Sequence, residues 1–261
     1  MKKLLVIFPI LLAMKTISAD SKCLNDAGKI HISYCCKTSL DSCIKMNKSC
    51  EIARKLNIFS QWLDTVNGAK PCSLVINEIQ KRYQTLTDTL ICKIDLRNVP
   101  MAGSPKSKIN LVMYVSATCP LCKKVYKDMY ESVTNGELKD KARLGIKVIN
   151  ASTPNLALLA AAHFGKQSRL MLSLYDIKER ISMELIIKKC AEIGIPADSL
   201  NVYMNSNSIK TLAEASASEA SVNDVKYTPV FFINGKPYHS YKDPQWVIDA
   251  VLFEYDKLKD R

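Results

Sequence analysis

INLVMYVSATCPLCKKVYKDMYE, residues 109–131, encodes a strand that leads directly into a helix. Residues 111–115 form a continuous apolar run, which is the pattern of a strand covered on both faces. Pro120 suits the first turn of a helix, because its missing N–H costs no hydrogen bond there. Apolar residues then recur at helical spacing to the end of the stretch. Cys119 and Cys122 are therefore predicted to lie at a helix start.

Two cysteines spaced as Cys-x-x-Cys at a helix start are suited to redox chemistry. The helix dipole and the free N–H groups of the first turn stabilise a thiolate on the first cysteine, lowering its pKa from about 8.5 to roughly 3.5–7.5. We therefore predict that Cys119 attacks and that Cys122, one turn further on, resolves. The same spacing provides half of a zinc site, but no second such motif completes it. The three histidines, which are isolated, are His31, His163 and His239.

The sequence after this helix predicts a second strand, a helical stretch, a hairpin and a last helix. Residues 144–149 have the pattern of a buried strand. A helical pattern from about 155 to 222 is predicted to form an inserted subdomain, with Cys190 on one apolar helix face. Strand character returns at 230–233, and the Asn-Gly at 234–235 predicts a tight hairpin. An Asp-Pro pair then begins the final helix.

Three features follow one another in the chain: Cys-Pro-Leu-Cys at 119–122, the helical stretch, and Tyr-Thr-Pro-Val-Phe-Phe-Ile-Asn-Gly at 227–235. This order resembles the DsbA-like branch of the thioredoxin superfamily over about residues 100–260. The resemblance implies a thioredoxin-like α/β fold in which the helical stretch is the family's lid. It also implies a cis Thr228–Pro229 bond that faces the dithiol. The residues that it implies in substrate binding are Pro120, Leu121, Thr228 and Pro229.

Two positions depart from the family pattern. Family members usually carry an acidic residue six positions before the first cysteine, where it moves protons to and from the buried second thiol, and Met113 stands there. Leu121 replaces the histidine that supports the thiolate in DsbA by charge and hydrogen bonding. We therefore expect a less oxidising centre than that of DsbA. The direction stays open between oxidase, isomerase and reductase, and Thr228 before the proline resembles isomerase-type relatives.

The N-terminal part of the chain is predicted to contain a leader and a small domain. Residues 1–19 have a basic start, an apolar run and a small-residue end, which is typical of a cleaved secretory signal peptide. The run is well short of the roughly twenty residues that a membrane-spanning helix needs; an uncleaved signal anchor is the alternative. Residues 20–100 are predicted to be a cysteine-rich helical domain, and 101–261 the thioredoxin-like domain. Proline, glycine and small polar residues mark the boundary at 97–108.

All ten cysteines follow the leader, and seven of them lie in the predicted N-terminal domain. In an oxidising compartment this number indicates disulfides first. Because seven is odd, four interpretations stay open: three disulfides with one buried thiol, a second redox pair such as Cys35–Cys36, metal binding, or an intermolecular bridge. The cysteines whose pairing the sequence does not determine are Cys23, Cys35, Cys36, Cys43, Cys50, Cys72 and Cys92.

The charge pattern bears on the partners. The formal net charge of +12 falls to +9 without Lys2, Lys3 and Lys15 of the leader. Basic and acidic residues are interspersed, which gives nucleic-acid binding little support.

We expect a periplasmic or otherwise extracytoplasmic protein disulfide oxidoreductase that needs no cofactor or metal. Its partners would be proteins with thiols or disulfides and a redox partner protein, with the N-terminal domain as a candidate oligomerisation module. The alternative is a cysteine-rich protein that binds copper or zinc on a thioredoxin scaffold.

Overall fold

The computed structural model describes residues 89–175, 177–238 and 244–258, which all belong to one folded unit. The predicted leader, residues 1–19, lies outside these residues. So does most of the predicted cysteine-rich domain, including every cysteine before Cys92, and so does His239. The predictions on those residues, and the domain boundaries, stay predictions.

A five-stranded mixed sheet forms the centre of the described unit, in the order β1-β3-β2-β4-β5. The strands are β1 (Met101–Ala102), β2 (Ile109–Val115), β3 (Ala142–Val148), β4 (Val230–Ile233) and β5 (Lys236–Tyr238). β2 runs parallel to β3 and antiparallel to β4, and the two outer pairs are antiparallel. This mixed sheet with its helices is the α/β fold that the sequence predicted.

β2 lies at the middle of the sheet, and all its residues except Asn110 are buried. This agrees with its continuous apolar sequence, since a central strand is covered on both faces. Val112 and Tyr114 pack with Phe232 on one face, where Ala220 covers them. Strand alternation directs Met113 to the other face.

Helices connect and cover the strands. They are α1 (Pro120–Thr134), α2 (Thr153–His163), α3 (Gln167–Ser173), α4 (Met183–Glu192), α5 (Ala197–Asn205), α6 (Asn207–Val222) and α7 (Pro244–Lys257). In the described part of the chain, α2 to α6 all lie between β3 and β4. Cys190 of α4 is fully buried, as its place on an apolar helix face predicted, and burial raises the pKa of its thiol to about 11. None of the helices described is both long and apolar enough to cross a membrane.

The hairpin between β4 and β5 turns at Asn234 and Gly235, as predicted. Both residues have positive φ, 49° and 83°, which is the conformation of a type I′ turn. Gly235 also faces the backbone of the segment that precedes β1: a Cβ built on it would lie 2.4 Å from the carbonyl oxygen of Cys92. Only glycine fits here without displacing that segment.

The segment before β1 is held against the sheet by a polar network. The Glu219 carboxylate accepts hydrogen bonds from the Tyr114 hydroxyl and from the backbone N–H of Asp95, the latter at 2.7 Å. It also pairs with the buried Lys147 ammonium at 2.6 Å. Lys147 in turn donates to the carbonyl oxygen of Asp95 at 2.8 Å. Two residues of the proline- and glycine-containing stretch 97–108 then form the edge strand β1.

Candidate redox site

Cys119 is the N-cap residue of α1, the position that the sequence predicted. Its backbone is extended, at φ −77° and ψ 115°, and Pro120 occupies the first turn of the helix. The Cys119 sulfur accepts a hydrogen bond from the backbone N–H of Cys122 at 3.2 Å. The turn between β2 and α1 is closed by the N–H of Cys119, which donates to the carbonyl oxygen of Ser116 at 3.0 Å. The free N–H groups of a helix start therefore point at this sulfur.

The two thiols differ in exposure. Cys119 is partly exposed, whereas Cys122 is fully buried. A second protein can therefore reach only the Cys119 sulfur from solvent.

The loop before β4 faces the Cys119 sulfur. The Thr228–Pro229 peptide bond is cis, as predicted, and the Cys119 thiol donates to the carbonyl oxygen of Thr228 at 3.5 Å. Pro120 is exposed, Leu121 and Thr228 are half-buried, and Pro229 is buried. The four residues predicted to bind substrate thus differ in access, and their role in binding stays a prediction. Tyr227, which the sequence analysis did not select, adds a side chain that is 44% exposed beside Thr228.

The environment separates the pKa values of the two thiols. The hydrogen bond with the Cys122 side chain is the largest cause that lowers the pKa of Cys119 to about 5, and the Cys122 N–H and the Thr228 side chain add to it against the cost of burial. The pKa of Cys122 is raised, first by its hydrogen bond to Cys119 and then by burial. Near neutral pH the lowered pKa favours the Cys119 thiolate, which accepts from the Cys122 thiol and no longer donates to the Thr228 carbonyl; that bond belongs to the protonated form of Cys119.

Met113 is fully buried in β2, opposite Ile146 of β3 and Phe231 of β4. Its predicted burial is confirmed, as is the placement of Val112 and Tyr114 on the opposite face. That Met113 adjoins Cys122 stays a prediction.

Two buried polar side chains near the dithiol were not identified from the sequence. Lys123 follows Cys122 directly and is 6% exposed, and its ammonium donates to the carbonyl oxygen of Ile177 at 2.5 Å. Asn155 of α2 is fully buried and accepts a hydrogen bond from the backbone N–H of Ala117. Both partners are backbone groups distant in sequence, so no local pattern indicates these contacts.

A metal centre has no support in the described part of the chain. No group of three or more His, Cys, Asp or Glu residues there could hold a metal ion. Most of the cysteines on which the copper or zinc alternative depends lie outside that part.

The thioredoxin family model matches residues 97–250, which is more than half of the chain. No curated protein is significantly similar to this chain in sequence.

Solved structures with a similar fold include a thioredoxin-like oxidoreductase from Silicibacter pomeroyi DSS-3, at 18% identity and a TM-score of 0.54, covering 68% of this chain and 98% of that one. Oxidised BdbD from Bacillus subtilis is 14% identical with a TM-score of 0.55, covering 65% of this chain and 100% of that one. The thiol-disulfide exchange protein alpha-DsbA2 from Wolbachia pipientis is 20% identical with a TM-score of 0.53, covering 70% of this chain and 94% of that one. At these identities the likeness is one of fold.

Proposed function

Because this chain belongs to the thioredoxin family, as a DsbA-like member, we propose that it is an extracytoplasmic thiol–disulfide oxidoreductase that acts on proteins through Cys119 and Cys122. One observation carries the proposal: a partly exposed sulfur at a helix N-cap that accepts a hydrogen bond from the backbone N–H of the buried second cysteine. That arrangement gives one sulfur for attack and one for resolution.

The exchange proceeds through a mixed disulfide. With the enzyme oxidised, a substrate thiolate attacks the Cys119 sulfur, the Cys119–Cys122 bond breaks, and Cys122 leaves as a thiolate that takes up a proton. A second substrate thiolate then attacks the substrate sulfur of the mixed disulfide and releases Cys119 as a thiolate. The substrate loses two electrons as its disulfide forms, and the dithiol of the enzyme gains them. A redox partner protein must then remove those two electrons.

The position of Cys119 at a helix start favours an enzyme that oxidises its substrates, with moderate oxidising strength. A stabilised thiolate makes Cys119 a good leaving group and favours the reduced enzyme, so the disulfide form is oxidising. Thioredoxin has a cysteine pKa of about 7 and a reduction potential of about −270 mV. DsbA has a cysteine pKa of about 3.5 and a reduction potential of about −120 mV. The Cys119 pKa of about 5 lies between these two pKa values, so we expect an intermediate value for the reduction potential. Leu121 is consistent with this value, because it adds no charge or hydrogen bond to the thiolate.

Proteins are the proposed substrates because the groups around Cys119 suit an extended chain. The carbonyl oxygen of the half-buried Thr228 lies 3.5 Å from the Cys119 sulfur, and the chain neighbours Pro120 and Tyr227 of these two residues are exposed. A substrate cysteine in a flexible segment can approach the Cys119 sulfur between these residues, whereas a cysteine in a folded core cannot. The proposed extracytoplasmic location rests on the predicted leader.

Single cysteine substitutions test the proposal. Cys119→Ser should abolish both insulin reduction and refolding of a reduced protein, and Cys122→Ser should accumulate mixed disulfides with substrates, visible on non-reducing gels. Cys190→Ser, which removes a buried thiol outside the site, is the matched control and should keep the activity. Capture of partners by Cys119→Ser but not by Cys122→Ser would reverse the assigned roles, and activity in Cys119→Ser would exclude the proposal.

A further inference from the structure

Asn155 has a side chain without any exposure to solvent, although it is polar and lies in the first turn of α2. Its Oδ1 accepts a hydrogen bond from the backbone N–H of Ala117 at 2.8 Å. Its Nδ2 donates to the carbonyl oxygen of Asn150 at 3.1 Å and to the Oδ1 of Asn150 at 2.8 Å. One amide group therefore joins three positions: the start of α2, the end of β3 and the turn that leads to Cys119.

The orientation of this amide is determined by its partners. A backbone N–H can only donate, so the oxygen of Asn155 must face Ala117. A carbonyl oxygen can only accept, so the nitrogen must face Asn150. The side chain is thus specific: aspartate would turn a second oxygen toward the carbonyl of Asn150, and leucine would leave a buried N–H without a partner.

Ala117 lies two residues before Cys119, in the turn that aims the sulfur. The bond from Cys119 to Ser116 is internal to the turn, and the bond from Lys123 to the Cys119 carbonyl leads into α1. The bond from Ala117 to Asn155 attaches the turn to α2. Ala117 is itself fully buried. Loss of the Asn155 acceptor would force the N–H of Ala117 to seek another partner, and the turn would rotate with it.

We propose that Asn155 is a positioning residue of the redox centre, which holds the turn at residues 116–119 so that the Cys119 sulfur faces the N–H of Cys122 and the loop at Thr228. This inference rests on the proposed role of Cys119. The sulfur lies 3.2 Å from that nitrogen and 3.5 Å from the Thr228 oxygen. The N–H of Cys122 stabilises the thiolate, whereas the Thr228 carbonyl can accept a proton only from the thiol form. Hydrogen bonds weaken steeply as their alignment is lost, so a small rotation of the turn away from the Cys122 N–H decreases the stabilisation of the thiolate.

A purely structural role would have a different signature. Ser216 provides the comparison: it is 4% exposed, and its hydroxyl donates to the carbonyl oxygen of Val148 at 2.6 Å, also at the end of β3. It has no bond to the turn before Cys119. Ser216→Ala should therefore lower the stability of the fold as loss of a buried hydrogen bond does, without changing the titration of Cys119.

The experiment compares Asn155→Leu with Ser216→Ala in the reduced full-length chain. The titration of Cys119 is followed as the pH dependence of its alkylation, quantified by mass spectrometry of its peptide, and thermal unfolding reports stability. Asn155→Leu should raise the midpoint by about one pH unit, which is a tenfold loss of thiolate stabilisation. Its reduction potential against glutathione should become more negative, whereas both values stay unchanged in Ser216→Ala.

Asn150→Ala keeps the test decisive where Asn155→Leu fails to fold. Asn150 is exposed, so its removal is tolerated, but it takes away the 2.8 Å acceptor that orients Asn155. Asn150→Ala should also raise the alkylation midpoint of Cys119, by less than Asn155→Leu does. A folded Asn155→Leu with an unchanged midpoint would overturn the inference, and so would an unchanged midpoint in Asn150→Ala where Asn155→Leu does not fold. Neither outcome bears on the proposed function, which the Cys119→Ser variant tests separately.

Discussion

Replacement of Cys122 by alanine should raise the pKa of Cys119, whereas replacement by serine should leave it nearly unchanged. The hydrogen bond from the Cys122 side chain is the largest cause that lowers the pKa of Cys119 to about 5. Alanine removes this donor, and serine keeps a hydroxyl that can donate in its place. The pair of variants therefore separates the contribution of this one bond from that of the helix N–H groups.

The expected size of the effect follows from the charge of the acceptor. A hydrogen bond to a charged group contributes about 1.5–3 kcal/mol, or about one to two pKa units. Cys119 is partly exposed, so water replaces part of the lost bond and a rise of about one unit, to about 6, is expected in Cys122→Ala. At pH 6 the thiolate fraction would then fall from about 90% to about 50%.

The assay is the rate of alkylation by iodoacetamide between about pH 3.5 and 8.5, a range that spans the pKa values of activated and ordinary cysteines. The peptide 109–123 then reports Cys119 alone in both variants, because Cys122 is absent from them. The midpoint is compared rather than the plateau, since the intrinsic nucleophilicity of a thiolate rises with its pKa, with a Brønsted coefficient of about 0.4–0.5. Cys190, whose pKa burial raises to about 11, is the internal control and should react little. Equal midpoints near 5 in the two variants would refute the reasoning.

Three further predictions concern the neighbourhood of the site and the hairpin. Thr228→Val should raise the alkylation midpoint of Cys119, because the Thr228 side chain helps to lower that pKa, and Thr228→Ser should not; equal midpoints in both variants would contradict this. Met113→Glu should accelerate the decay of a mixed disulfide in stopped-flow measurements by accepting the Cys122 proton, at a cost of a few kcal/mol in thermal unfolding; an unchanged decay in the folded variant would show that Met113 does not serve Cys122. Gly235→Ala should lower the unfolding temperature clearly more than Gly165→Ala. Both glycines have positive φ, which costs an alanine about 1–2 kcal/mol, but of the two only Gly235 would bring a Cβ within 4 Å of backbone atoms. A loss in Gly235→Ala no larger than in Gly165→Ala would mean that the approach of the Cys92 carbonyl is relieved at little cost.

The local parts of the fold and site could be predicted from the sequence. An unbroken apolar run predicts a central strand, because only such a strand is covered on both faces, and β2 has that place. Pro120 and the Cys-x-x-Cys spacing predict a thiolate at a helix start, since both depend on one helical turn. The Asn-Gly pair predicts its turn because it needs two positive φ values in succession.

The contacts that tune the site come from residues distant in sequence, and only the tertiary structure decided them. The Thr228 carbonyl is 109 residues from the Cys119 sulfur that it faces, and only the family resemblance indicated this approach. The register of β2 against β4, with Tyr114 opposite Val230, sets that distance. The bond between Asn155 and Ala117 likewise depends on the packing of α2 beside the end of β3. At the edge strand β1, Gly145 leaves room for the Met101 side chain of the paired strand, whose sulfur would lie 2.5 Å from a Cβ at this position. Periodicities of two and 3.6 residues determine which elements form, whereas sheet register and packing determine which polar groups of those elements meet.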